Sequence, residues 1–196
     1  MPPPPRPICS EGATMTEIDT HLRAVARGDR AAFDQLYRTM QRPMLAYAVG
    51  LLAGDRAAAE DAVDEAFVDV WRSAGSFSGS GSGTGWVRRI VRNKAVDWLR
   101  KAGSARHSEW VPQADDRHDD TPGPEAQAVA LDSAGWLHQS MQRLNLEQRE
   151  AVLLCYFEGC SVAEIAAIMA CPEGTVKTRL FHARQTLRQL LPAELA

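Results

Sequence analysis

Apolar residues recur at three- and four-residue intervals along most of the chain. No window alternates apolar and polar residues with the period of two that a half-buried strand requires. The pattern predicts helices over 16–27, 30–53, 55–72, 84–101, 125–142, 146–157, 161–169 and 173–190. Gly28-Asp29 and Gly54-Asp55 punctuate the first three, each glycine suited to a C-terminal stop and each aspartate to an N-cap. Pro43 lies inside the second helix and predicts a kink or an early end, since proline lacks an N–H and its ring crowds the preceding turn. Three stretches break the period. Residues 1–14 are proline-rich and read as a disordered leader, and Ser73 to Gly85, with five Gly and five Ser, reads as a flexible loop. Residues 103–124 carry Asp115, Asp116, Asp119 and Asp120 without an apolar period and read as an acidic flexible linker. The expected fold is all-α, with two small helical domains over 15–102 and 125–196, each near the lower size limit for a self-sufficient core.

Composition excludes several classes of protein. Of 196 residues, 45% are hydrophobic and 24% charged, as in ordinary globular chains. No apolar run approaches the roughly 18 residues of a membrane span, and the N-terminus lacks the apolar stretch of a secretory signal. No membrane insertion and a cytoplasmic location are therefore expected. A start at Met15, just before the first periodic segment, would leave the fold intact. The four cysteines form no CxxC and the five histidines no HxxxH or HExxH, so no metal site and no cofactor are expected. The cysteines read as small buried or idle thiols.

The formal charge of −3 becomes informative only when it is located along the chain. Residues 55–71 set Asp55, Glu60, Asp61, Asp64, Glu65 and Asp69 against Arg56 alone, a net of −5. Val63, Phe67, Val70 and Trp71 recur there at helical spacing, with Ala59 and Ala66 small enough to join them, so the helix is amphipathic with an acidic outer face. Like charges at three- and four-residue intervals repel. Two readings of that face compete: a solvated surface, or an anionic face offered to a basic partner.

Residues 86–101 are the opposite, with Arg88, Arg89, Arg92, Lys94, Arg100 and Lys101 against Asp97, a net of +5. Trp86, Val87, Ile90, Val91, Ala95, Trp98 and Leu99 supply an apolar stripe. Cations mixed with tryptophan suit phosphates and unstacked bases, while both tryptophans can equally serve the core. The Gly/Ser loop before this helix has neither a preceding strand nor a Walker lysine, which excludes an ATP site.

The third pattern runs from Ser161 to Leu180. Ser161 with Glu164 forms a capping box, and Ile165, Ala166 and Met169 can face a core. A break at Ala170 to Pro172 follows, with Pro172 placed to open the next helix. That helix turns Val176, Leu180, Ala183 and Leu187 inward and Lys177, Arg179, Arg184 and Arg188 outward. A short helix, a tight turn and a longer basic helix make a helix-turn-helix whose second helix can enter a major groove. Glu173, Thr175, Lys177, Thr178 and Arg179 would reach base edges and phosphates: Glu accepts from cytosine, Arg forks onto guanine, and Lys meets guanine or phosphate.

Together these segments resemble a known family. Ala59-Glu-Asp61 through Trp71-Arg72 is similar to the AEDLVQETFLRVWR-type signature in region 2 of bacterial extracytoplasmic-function (ECF) sigma factors. Gly85-Trp86 through Arg100 is similar to the WLxRIARNxAxDxLR stretch of the same domain. Leu146-Glu-Gln148-Arg149 and the helix-turn-helix through Arg184 resemble region 4. The resemblance implies a promoter-specificity subunit of RNA polymerase that is not itself catalytic. It assigns contact with core RNA polymerase, at the clamp helices of the largest subunit, to Asp61, Asp64, Glu65, Asp69 and Trp71. It assigns recognition and melting of the −10 promoter element to Ser78, Ser80, Ser82, Trp86, Arg88, Arg89, Arg92, Asn93 and Lys94. In that scheme the loop holds a flipped non-template base and the cations hold phosphates. The loop is plainer than the family's usual one, so the three serines stand as equal candidates. Recognition of the −35 element falls to Glu173, Thr175, Lys177, Thr178, Arg179, His182 and Arg184. The acidic linker would thread toward the RNA exit path, and the resemblance also implies an anti-sigma factor as a partner. A stand-alone helix-turn-helix regulator would account for 161–190 but leaves 55–101 unexplained.

Overall fold

The protein is described here from a computed structural model, over residues 16–79, 81–105 and 139–190. The described residues are helical or in turns, as expected for an all-α fold. Helices α1 (Glu17–Val25), α2 (Arg30–Leu51), α3 (Arg56–Ser73) and α4 (Gly83–Ala105) form the first domain, with a 3-10 turn at Ala74–Ser76. A helical turn over 139–142 leads into the second domain. That domain comprises α5 (Leu146–Val152), α6 (Val162–Met169) and α7 (Glu173–Leu190).

The local signals act as expected. Asp29 and Asp55 cap α2 and α3, each accepting a backbone N–H at 3.0 Å, after Gly28 and Gly54 at φ +84° and +92°. Ser161 and Glu164 form the capping box of α6, and Asn145 with Gln148 forms an unforeseen one on α5. Pro43 departs from expectation, because α2 runs unbroken through it. Pro43 and Thr39, whose carbonyl loses its partner, both face solvent, where water can bond that oxygen. Met40, Met44 and Tyr47, all buried, hold the helix on the core from either side of the proline. The helix predicted over 146–157 also divides: after Val152 the chain opens into a π turn, Leu153–Phe157.

The α3 stripe packs as predicted, with Ala59, Val63, Ala66, Phe67 and Val70 buried. Phe33, Tyr37, Phe67 and Trp71 meet edge to face or tilted between α2 and α3, with ring centroids from 4.9 to 6.4 Å apart. Buried side chains of both domains join one apolar cluster. Cores this small are marginal alone, and the two domains cover each other.

Candidate nucleic-acid interface

The Gly/Ser loop is anchored from below. Asp19, buried in the first turn of α1, accepts the Thr16 N–H at 2.9 Å through one oxygen and the Gly83 N–H at 2.6 Å through the other. A Cβ at Gly83 would collide with that Asp19 oxygen and come within 2.9 Å of Leu22, so only glycine fits where α4 begins. Ser78 and Ser82 are exposed on the loop, and Ser80 lies outside the described residues. Phe77 packs against half-buried Trp86 at 5.8 Å. Beside them a cavity of about 430 Å³ opens between the start of α4 and α6, lined by Trp86, Arg88, Arg89, Cys160, Ala163 and Ile168 among others.

Further along α4 the cations diverge. Arg89 and Asn93 are exposed, but Arg88 is only 3% exposed and ion-pairs with Glu158 of the second domain. Its Nη1 also lies 3.5 Å from the Cys160 Sγ, and its Nε makes no hydrogen bond. Arg92 grips Glu150 in a two-pronged pair, Nε to Oε1 at 2.5 Å and Nη2 to Oε2 at 3.2 Å. Glu150 is wholly buried, and the Tyr47 hydroxyl donates to it at 3.4 Å. Burial raises the pKa of the Glu150 carboxyl, and the Arg92 hydrogen bonds and charge pull it only part of the way back. Burial, then the Glu150 charge, likewise pushes the Tyr47 phenol well up. Lys94 turns to α3 and meets Asp69 at 2.8 Å and Glu65 at 3.5 Å. Its pKa is raised by the hydrogen bond to Asp69. Three cations assigned to phosphates by the resemblance therefore hold carboxylates in this arrangement.

On α3, Asp61, Asp64 and Glu65 are exposed and Asp69 half-buried. The Tyr37 hydroxyl donates to Asp64 at 3.3 Å, and Arg56 pairs with Glu60 at 2.9 Å. Together with Lys94, these contacts offset part of the repulsion along the acidic face. Trp71 is half-buried, with its ring edge-on to Phe33 at 5.3 Å, so it serves the helix packing.

The second domain presents α7 outward. Glu173, Lys177, Thr178, His182, Arg184 and Arg188 are exposed, while Val176, Leu180 and Ala183 are buried. Thr175 and Arg179 are half-buried, and Arg179 leans back to the Cys171 Sγ at 3.5 Å. The Thr178 hydroxyl donates to the Gly174 carbonyl at 3.0 Å, and Arg184 donates to the Tyr156 hydroxyl at 2.7 Å. Exposed His182 stands against the Phe181 ring at 5.4 Å.

Reasoning from the sequence missed Asp19, Tyr47, Arg149, Glu150 and Glu158. Arg149 donates to the Met141, Leu51 and Leu144 carbonyls at 3.0 to 3.2 Å, and burial lowers its pKa. A signal for two of these residues was present: Thr16-x-x-Asp19 is a capping pattern, and Glu150 heads the apolar run Ala151 to Leu154.

Comparison with known proteins places the chain in a family. Residues 36–105 match the family Sigma-70 region 2, and residues 134–187 match Sigma-70, region 4. The RNA polymerase sigma-H factor of Pseudomonas aeruginosa is 33% identical over 178 residues, covering 87% of this chain and 91% of that protein. The ECF RNA polymerase sigma factor SigM of Mycobacterium tuberculosis is 33% identical over 198 residues, covering 96% and 94%. Among solved structures, the sigma factor RpoE of Bartonella quintana, in complex with the anti-sigma factor NepR, superposes with a TM-score of 0.66 at 25% identity. That match covers 81% of this chain and 95% of RpoE. CnrH, in complex with the cytosolic domain of CnrY, shares the fold at a TM-score of 0.66 and 23% identity, over 89% and 97% of the two chains. No helix among the described residues is long and apolar enough to cross a membrane. The chain belongs to the ECF family of RNA polymerase sigma factors, promoter-specificity subunits that are not themselves catalytic and act with core RNA polymerase on promoter DNA.

Proposed function

We propose that this chain binds core RNA polymerase through the acidic face of α3, recognises and melts the −10 element with the 78–94 segment, and reads the −35 element with α7. The domains serving these tasks span 15–102 and 125–196, joined by the linker over 103–124, and the protein works in the cytoplasm. The observation that carries this reading is the division of exposed charge. Asp61, Asp64 and Glu65 stand on one helix, while Lys177, Arg184 and Arg188 stand on the second helix of a helix-turn-helix. An anionic face suits a basic protein groove, and a cationic recognition helix suits duplex DNA. On α4, the exposed Arg89 and Asn93 meet phosphates in this scheme, joined by Arg88 and Arg92 once their carboxylate partners are displaced. Trp71 contributes by packing the base of the acidic face. An anti-sigma factor completes the scheme; the likeness to RpoE, solved with NepR, supports it.

Run-off transcription with core polymerase on genomic fragments tests the activity and supplies the promoter. Asp61→Lys with Glu65→Lys should lower co-elution with core polymerase about tenfold or more while leaving duplex −35 binding intact. Unchanged core affinity would remove α3 from the interface.

A further inference from the structure

We propose that the cavity beside Trp86 is a binding site for a small planar aromatic anion, of the class of the aromatic carboxylates. This goes beyond the promoter reading and does not rest on it. The cavity measures about 430 Å³, within the range of roughly 300–1,000 Å³ that small-molecule sites occupy. Its walls come from the loop and first turns of α4 on one side and from α6 on the other. Phe77 and Trp86, both half-buried, line it with their rings tilted and their centroids 5.8 Å apart. Aromatic rings gain from offset or edge-on aromatic partners, which favours a flat ring over an aliphatic body of equal volume. Small residues leave the room. A Cβ at Gly85 would meet only the Ser82 Cβ, 3.8 Å away, and one at Gly81 would meet nothing within 4 Å. On the facing helix, Ala163 and Ala167 stand one turn apart, both exposed, at the opening.

The sign of the guest follows from two arginines on the wall. Arg88 is 3% exposed, with its Nη groups held by Glu158 and the Cys160 thiol. Its Nε makes no hydrogen bond, and a buried donor without a partner is rare. Arg89 lines the same cavity and is exposed, with its charge open to a partner. Glu164 is the carboxylate on this wall, and it is turned to the cap of α6. There its Oε2 accepts the Ser161 N–H at 2.8 Å and the Ser161 hydroxyl at 2.7 Å. Apolar walls strengthen the field of such cations on a ligand lying between them. A carboxylate matches a guanidinium in shape as well as in sign.

The test titrates the full chain with 2-naphthoate by calorimetry, against 2-naphthamide, which keeps the ring and loses the charge. Naphthoate should bind one to one and saturate below about 1 mM. The amide should bind about tenfold more weakly, the loss expected for one charge-assisted pair. Ala167→Leu is an exposed change that favours its helix; it fills the cavity from the α6 side and should weaken naphthoate about tenfold. Arg89→Gln should weaken naphthoate about fivefold and leave the amide unchanged. Circular dichroism checks that both variants keep their helix content. No saturable binding, or wild-type affinity in Ala167→Leu, overturns the cavity as the site. Equal affinity for naphthoate and the amide overturns the anion, and so does an unchanged preference in Arg89→Gln. Tighter binding of deoxyadenosine monophosphate than of naphthoate overturns the carboxylate class in favour of a nucleotide. The promoter reading is decided separately, by run-off transcription.

Discussion

Two basic helices, α4 and α7, look alike in the sequence and differ in what their charges do. On α4, Arg88, Arg92 and Lys94 are engaged with Glu158, Glu150 and Asp69. On α7, Lys177, Arg184 and Arg188 are exposed. Both helices have an apolar stripe and an excess of cations, so periodicity and segment charge cannot tell them apart. What separates them is whether another element brings carboxylates over the basic face. A basic helix offers a cationic surface only when its cations are free to exchange partners; on α4, Arg88 and Arg92 are held by carboxylates of the second domain and Lys94 by α3 of its own.

The sharpest way to break this contrast is Arg92→Ala. It leaves Glu150 with Tyr47 as its remaining hydrogen-bond partner, and an uncompensated buried carboxylate costs about 3–5 kcal/mol. The chain should lose its compact form or its denaturation midpoint, whereas Lys177→Ala should move either by less than about 0.5 kcal/mol. An Arg92→Ala chain with both properties of the wild type would erase the distinction. The next effect runs the other way. Lys177→Ala with Arg179→Ala should cost about 2 kcal/mol in duplex −35 binding and reduce its salt dependence by about one unit per lost phosphate contact. Transcription from the cognate promoter at the wild-type level would take these residues out of the interface.

Asp19→Ala probes how firmly the start of α4 is held. It removes a capping box and leaves the Gly83 N–H unsatisfied, for about 1–2 kcal/mol of thermal stability in the first domain. Unfolding at the wild-type temperature would show that the loop does not depend on this anchor. The smallest effect belongs to Lys94. Its folded pKa lies above the ordinary lysine value of 10.5, so its pairing with Asp69 contributes fully below that value and fades as pH rises through the raised one. The pair is partly exposed and contributes less than about 1 kcal/mol. Lys94→Met should flatten the stability loss above pH 10.5 relative to the wild type; parallel alkaline curves would discount the pair.

Much of the fold was legible because its causes are local. The caps Asp29, Asp55 and Ser161, the stops Gly28 and Gly54, and the α3 stripe each act within a turn or two of helix, and each stands where the pattern placed it. Pro43 misled because its effect depends on which way the helix faces, and burial of Met40, Met44 and Tyr47 decided that. The site was legible as residue types. Lys177 and Arg184 are exposed as drawn, and Asp61, Asp64 and Glu65 line an exposed face. Arg88 and Arg92 were legible only as cations, because their partners lie 70 and 58 residues away in sequence.

By itself, then, the sequence determined most of the described helices, their apolar faces, the helix-turn-helix and the separation of acidic from basic segments, all set by spacings of three or four residues; of the helix predicted over 125–142, residues 125–138 lie outside the described residues. Only the tertiary structure decided which charges meet. Whether a carboxylate repels its neighbours, grips an arginine or faces solvent depends on distance and burial, and the packing of one domain on the other sets both.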